Sequence, residues 1–464
     1  MRKSILAVFL TGLSCLHAAE VRFPKFTREV LPGGVVIYLL PRPGVPLVNI
    51  RVLVRGGVES EPPGLAGISA VTAQLLRSGT ASRSADRFSS ELDGLGGTFA
   101  SSSGEQYAVV ASEFLQKDFA AGLDLTADAM LHPAFPESEV KKALARSVDG
   151  TKAQKDNPQA AITQYFRAFF YGPAHPYGHP ADEASFGKMT RETIADYARR
   201  LYVGRNMIVV VAGEFDAPAT TAALRKTFGE APAGTAWQWV SDVKPAADAR
   251  LLLIDKPDAT QTYFSIAQPG ISRTDPDRTA LQLVNTLFGG RFTSMLNDAL
   301  RVNSGLTYGA RSSVDLHRLP GAAVISTYTR TETTEKAMDM ALDVLRQLTE
   351  KGITAAQLAS VKAYVKGTYP TQNMETPEQL SALLGDMEIF GLNRGETDDL
   401  FSRIDAVTVE SANAVAKKYY KPAGLTFVVL GNAAKIRESV KKYSGTVIEM
   451  KASDPGFGNT GAGK

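Results

Sequence analysis

Two stretches of this chain repeat one another at a fixed distance, and no other feature restricts its fold as much. Met189-Thr190-Arg191-Glu192 leads through Leu201-Tyr202 to Ile208-Val209-Val210-Val211-Ala212-Gly213. Val407-Thr408-Val409-Glu410 leads through Tyr419-Tyr420 to Phe427-Val428-Val429-Leu430-Gly431. Gly431 minus Gly213 gives an offset of 218, and every correspondence but the first residues of the final strand keeps it. The same offset carries Phe135-Pro136-Glu137-Ser138-Glu139-Val140 onto Ile353-Thr354-Ala355-Ala356-Gln357-Leu358, each time after a long amphipathic helix. In the second copy that helix aligns Met338, Leu342, Leu345 and Leu348 on one side, and Thr354 with Gln357 forms a capping box for the next. The period far exceeds that of a solenoid unit, so two halves of roughly 200 residues share one plan. The halves are assigned to 20–231 and 250–450. An Ala-, Pro- and Gly-rich linker at 232–249 joins them, and a tail at 451–464 is expected to be disordered.

Alternating strands and helices fill each half. Val35 to Leu40 and Val48 to Arg55 read as strands, the second alternating apolar and polar before Gly56-Gly57 ends it. Ser84 caps a helix carrying Phe88, Leu92 and Leu95, Gly96-Gly97 stops it, and a strand from Tyr107 to Glu113 follows. The fold class expected is α+β, two homologous layered halves with mostly antiparallel sheets.

The first nineteen residues stand apart. Arg2 and Lys3 precede an apolar run too short to span a bilayer, and His17-Ala18-Ala19 offers small residues for cleavage, which reads as a secretory signal. Gly12-Leu13-Ser14 lacks the aliphatic residue that a lipoprotein signal carries three positions before its cysteine, so cleavage is expected near Ala19 rather than at Cys15. Removal takes away the one cysteine and lowers the net charge from +3 to +1 by losing Arg2 and Lys3. Disulfides and thiolate metal sites are thereby excluded. With 51 Lys and Arg against 48 Asp and Glu there is no dense basic face for a nucleic acid, and no later stretch suits a membrane span. An exported, periplasmic protein is expected.

The order of short motifs is specific. Gly64-Leu65-Ala66-Gly67-Ile68-Ser69, Leu75-Leu76-Arg77-Ser78-Gly79-Thr80, Asp156-Asn157-Pro158, His175-Pro176-Tyr177-Gly178 and Gly289-Gly290-Arg291-Phe292 follow one another across the chain. With the 218-residue repeat, this layout resembles the family of pitrilysin, insulin-degrading enzyme and the mitochondrial processing peptidases, the inverted zinc peptidases. Catalytic members carry His-x-x-Glu-His on the helix after the Gly-rich entry, with a distant Glu as third ligand. Two imidazoles one helical turn apart suit zinc, and the Glu between them serves as base. Counting back from Gly79-Thr80 places that motif on Ala70, Ala73 and Gln74, and the distant Glu falls at Gly150, beside Asp149. Every ligand is replaced, so no metal or other cofactor is expected in this chain. His132, His175, His179 and His317 remain after signal removal, but His175 and His179 lie in a loop broken by four prolines and glycines, where i,i+4 spacing has no helical meaning. A hydrogen-bonded turn is the expectation there.

Asn297 to Gly309 resembles the family's Arg/Tyr element, with Arg301 and Tyr308 on its two named positions. The resemblance implies that these two touch substrate around the scissile carbonyl, where a hydroxyl donor and a permanent cation stabilise a developing oxyanion. Otherwise Arg301 is a solvated helix-end cation and Tyr308 a half-buried strand aromatic. Some bacterial members work as two chains, one with zinc and one with the Arg/Tyr pair, closing like a clamshell on a peptide. This chain resembles the second kind, and its expected partners are a zinc-bearing subunit and an extended peptide that adds to a sheet edge, which corresponds here to Thr98 to Ser103; that stretch reads equally as an ordinary exposed strand lead-in. A structural or assembly subunit and an independent hydrolase with an unrecognised site are the other two readings.

Overall fold

The computed structural model describes residues 21–246 and 248–458; the expected signal at 1–19, with Cys15, lies outside them. In the first half the strands are β1 (Thr27–Val30), β2 (Val36–Pro41), β3 (Leu47–Arg55), β4 (Thr98–Ser103), β5 (Tyr107–Leu115) and β6 (Met207–Gly213). They form a sheet in the order β1-β2-β6-β3-β5-β4, in which only β2 and β6 pair in parallel. The second half supplies β7 (Arg250–Asp255), β8 (Gln261–Pro269), β9 (Ala310–Leu316), β10 (Pro320–Arg330), β11 (Thr426–Gly431) and β12 (Val447–Lys451), in the order β12-β7-β11-β8-β10-β9. Five strands correspond in order and sense: β2-β6-β3-β5-β4 matches β7-β11-β8-β10-β9. The sixth does not, since β1 runs antiparallel to β2 whereas β12 runs parallel to β7. Two mixed, mostly antiparallel sheets backed by helices make an α+β protein of two like halves.

The central strands explain why their sequences read as unbroken apolar runs. All seven residues of β6 and all six of β11 are buried, because both faces of each sheet are covered. Helices of its own half cover one face of the first sheet, where Val48, Ile50, Val52 and Val54 meet Ile68, Val71 and Leu75. The opposite face, with Val36, Tyr38, Leu53, Ile208 and Val210, is covered by Leu380, Leu384 and Met387 from the helix Pro377–Phe390 of the second half. The exchange is reciprocal. Ala161, Ile162 and Tyr165 from the first-half helix Pro158–Tyr171 pack on Leu252, Ile254, Val428 and Leu430 of the second sheet. The helices hold equivalent places, each capped by the residue before a proline, Asn157 or Thr376. Contact is close enough that a Cβ on Gly385 would lie 2.9 Å from a methyl of Leu53.

All strands of the first sheet precede residue 232 and all of the second follow 249. The described residues of the segment between them form no helix or strand but are pinned: Trp237 N–H donates to Asn206 Oδ1 at 2.7 Å, and the Arg318 guanidinium lies 4.9 Å over Trp239. The tail corrects an expectation. Residues 451–458 are ordered, because Phe457 is buried edge-on against Tyr165 and Lys155 donates to the Asp454 carbonyl oxygen. Residues 459–464 lie outside the described part.

Candidate functional site

The helix Ile68–Leu75 begins at Gly67, whose φ of 91° places it in the left-handed region. The Glu61 carboxylate accepts from the Gly67 N–H at 2.9 Å, the Ser69 N–H at 3.1 Å and the Ser69 hydroxyl, which satisfies the first turn. Burial raises the Glu61 pKa while those hydrogen bonds oppose it. Ala70 and Gln74 share one exposed face a helical turn apart, and Ala73 is fully buried in the core. Packed against this helix is Glu137–Asp156, where Gly150 is exposed and a Cβ there would meet nothing within 4 Å. Two methyls, one carboxamide and one hydrogen therefore occupy the four positions of a zinc site. None is an imidazole, thiolate or carboxylate, so these residues do not fit zinc. Among the described residues no group of three or more His, Cys, Asp or Glu is placed to hold a metal ion.

His175 is 1% exposed, and its Nδ1 accepts from the Tyr177 N–H at 3.1 Å, closing a tight turn. Burial pushes its pKa down to about 4, with His317 and His179 adding to the effect, so it is neutral at ordinary pH. The Tyr177 hydroxyl donates to Glu59 at 2.8 Å and accepts from Gln106 at 2.6 Å. Gly178 follows because its Cβ would lie 1.9 Å from the Gly172 carbonyl oxygen. The His-Pro-Tyr-Gly segment is thus the hydrogen-bonded turn expected, and with the His317 ring 5.1 Å from Tyr177 and Arg318 3.7 Å from Glu59 it also seats a buried polar junction between the halves, which the sequence reading did not foresee.

The second-half element is built around a turn. Ser294 caps the short helix Met295–Asn297, which continues into the wider π-type turn Asp298–Asn303. Leu300 and Leu306 are buried anchors, and the Leu300 carbonyl accepts from the N–H groups of Leu306 and Thr307. Gly305, with φ 61°, lets the chain reverse. Asn297 then ties both ends together: its amide donates to the Phe292 carbonyl at 2.7 Å and accepts from the Ala310 N–H at 3.4 Å. Arg301 lies with its guanidinium 4.7 Å over the Phe292 ring, and Tyr308 is 80% exposed just before edge strand β9. Tyr308 is therefore not the half-buried strand aromatic of the alternative reading. Arg301 and Tyr308 flank one pinned turn, and Phe292 and Asn297 join them there. Neither addition was assigned a role from sequence, although Phe292 closes the Gly-Gly-Arg-Phe motif.

Two family models match the chain in succession, "Insulinase (Peptidase family M16)" over residues 37–174 and "Peptidase M16 inactive domain" over residues 188–365. The chain belongs to peptidase family M16. The M16 match at 37–174 contains positions 70, 73, 74 and 150, and the inactive-domain match contains Arg301 and Tyr308. An uncharacterized zinc protease of Mycobacterium tuberculosis is 27% identical over 403 residues, 84% of this chain and 90% of that protein. The uncharacterized zinc protease YmxG of Bacillus subtilis is 23% identical over 85% of this chain and 95% of its own. Among solved structures, a Pseudomonas fluorescens peptidase M16 inactive domain superposes with a TM-score of 0.81 at 23% identity, covering 88% of this chain and 98% of that one. The Escherichia coli periplasmic protease PqqL superposes with a TM-score of 0.73 at 15% identity, over 92% of this chain but 50% of its own. Among the described residues, no helix of this M16 chain is long and apolar enough to cross a membrane.

Proposed function

We propose that this chain is the zinc-free, substrate-contacting subunit of a two-chain peptidase of family M16, exported to the periplasm and closing on a peptide with a zinc-bearing relative. One observation carries the reading: positions 70, 73, 74 and 150 of the first half hold none of the groups a zinc site needs, while the second half keeps Arg301 and Tyr308 exposed on a turn fixed from both ends. Phe292, Val302 and Tyr308 are three of the eight most exposed large apolar or aromatic side chains among the described residues, and all fall within 292–308. Such a concentration favours an interaction surface over chance exposure. The match to half of PqqL supports a chain that needs a second of its own size. Edge strands β4 and β9 offer unpaired main-chain groups to an extended peptide.

In this reading the partner brings the metal chemistry. Tyr308 Oη–H and the Arg301 guanidinium donate to the peptide carbonyl, holding it and favouring the state in which its oxygen gains charge. The test is co-expression with each zinc-motif relative from the same organism, followed by gel filtration and steady-state kinetics. An interface above about 1,000 Å² survives sizing. Tyr308→Phe should lower kcat, at or below the low end of the roughly 100- to 1,000-fold cost of a well-aligned oxyanion donor. Arg301→Ala should also raise KM. Full turnover from an intact dimer carrying both substitutions would overturn the reading and leave this chain a scaffold.

A further inference from the structure

We infer that Phe292 is a positioning residue for Arg301, setting the plane of its guanidinium so that the N–H edge faces outward toward a bound peptide. The inference rests on the proposed role of Arg301 and goes beyond it by naming what aims that group.

Phe292 is 63% exposed, an unfavourable setting for a phenylalanine. One of its ring faces meets the Arg301 guanidinium at 4.7 Å. The Arg301 guanidinium makes no ion pair or hydrogen bond among the described residues, so the ring is what defines its direction. A guanidinium that lies flat on a ring keeps its in-plane donors free, the geometry in which arginine grips a carbonyl or carboxylate. The main chain that carries the ring is held, since the Phe292 carbonyl accepts from buried Asn297, whose other amide atom receives the N–H of Ala310 two residues beyond Tyr308. A single buried amide thus ties the backbone at Phe292 to the backbone just beyond Tyr308. Neighbouring Arg291 repeats the pattern, lying 5.7 Å over Tyr364 and donating to Ser360. That guanidinium is spent on the protein; Arg301 is not.

An exposed cation–π contact is worth about 0.5–1 kcal/mol, a factor of about two to five. In the reconstituted pair, with a quenched fluorogenic peptide, F292A and F292L should each lower kcat/KM about two- to fivefold, mainly through KM. F292Y, which keeps the ring, should retain wild-type values. In an R301A background F292A should add nothing. On the chain alone, the Arg301 Nε–H resonance should carry a ring-current shift that F292L abolishes. If R301A impairs turnover while F292L behaves as wild type, or if F292A costs as much in the R301A background, this inference fails and the role of Arg301 stands. If R301A itself is silent, the proposed function fails first.

Discussion

Leu384→Ala tests whether the exchanged helices weld the halves into one unit. Leu384 belongs by sequence to the second half, yet it is 1% exposed among Val36, Tyr38, Leu53, Ile208 and Val210 of the first sheet. Truncation removes three carbons, about 2–2.5 kcal/mol of transfer free energy at ~0.8 kcal/mol each. The cavity adds to this, and here it opens against β-branched side chains on β6, a strand hydrogen-bonded on both sides. Such neighbours relax little, so the total should reach about 3–4 kcal/mol. That corresponds to about 150- to 900-fold in the unfolding equilibrium. Hydrogen exchange read by mass spectrometry on peptides from β3 and β6, and from β8 and β11, measures it. If the halves unfold together, protection in both sheets falls by the same free energy. A loss confined to the first sheet would refute the single unit, and a loss confined to residues 377–390 would refute the packing argument itself.

Burial raises the Glu59 pKa above 4.5, against the hydrogen bonds from Tyr177 and Gln106 and the charge of Arg318, so this carboxyl favours folding below pH about 4.5 and loses that contribution as pH rises through its folded value. Glu59→Gln should therefore gain on the wild type as pH is raised, read as the difference in Tm between the two from pH 4 to 7; a difference constant with pH would contradict this. Gly178→Ala places a methyl 1.9 Å from a backbone oxygen in a buried turn, and since backbone cannot move aside as a flexible side chain does, a loss of at least about 3 kcal/mol is expected in the denaturant midpoint. A variant as stable as the wild type would show that the turn is not held by this contact.

Much of the fold was legible because its signals are local and periodic. The strand Val48 to Arg55, the Ser84 cap and the Thr354–Gln357 capping box are written in neighbouring residues, and each lies where its pattern placed it. The exchange of helices was not legible. Leu380, Leu384 and Met387 declare an apolar face, but nothing in their spacing says which sheet that face will meet. The ordered tail escaped for a related reason, since Phe457 is one aromatic in a Gly-rich stretch and has no period to reveal it. At the candidate site, Arg301 and Tyr308 were reached through resemblance, whereas the tie through Asn297 depends on one side chain bridging two segments that sequence does not bring together.

The two halves differ in what their residues cost. Ala70, Ala73 and Gln74 are good helix formers; they leave no charge unpaired and bury no unsatisfied group, so a helix with only packing to do would carry such residues. The turn in the second half is the opposite case. It widens the helix at Asp298–Asn303, leaves Arg301 without a carboxylate among the described residues, and holds Phe292 and Tyr308 in water. A Thr307 and Thr327 hydroxyl pair pins its far side through Gly309, and a buried asparagine is spent holding its ends. Rigid support beneath exposed aromatic and cationic groups adds little to folding. It adds a great deal to binding, because ordering these side chains before a peptide arrives removes an entropy cost that association would otherwise meet. The distribution of cost therefore supports the part of the proposed function that gives side-chain contacts to the second-half turn, and it does so independently of the missing zinc ligands.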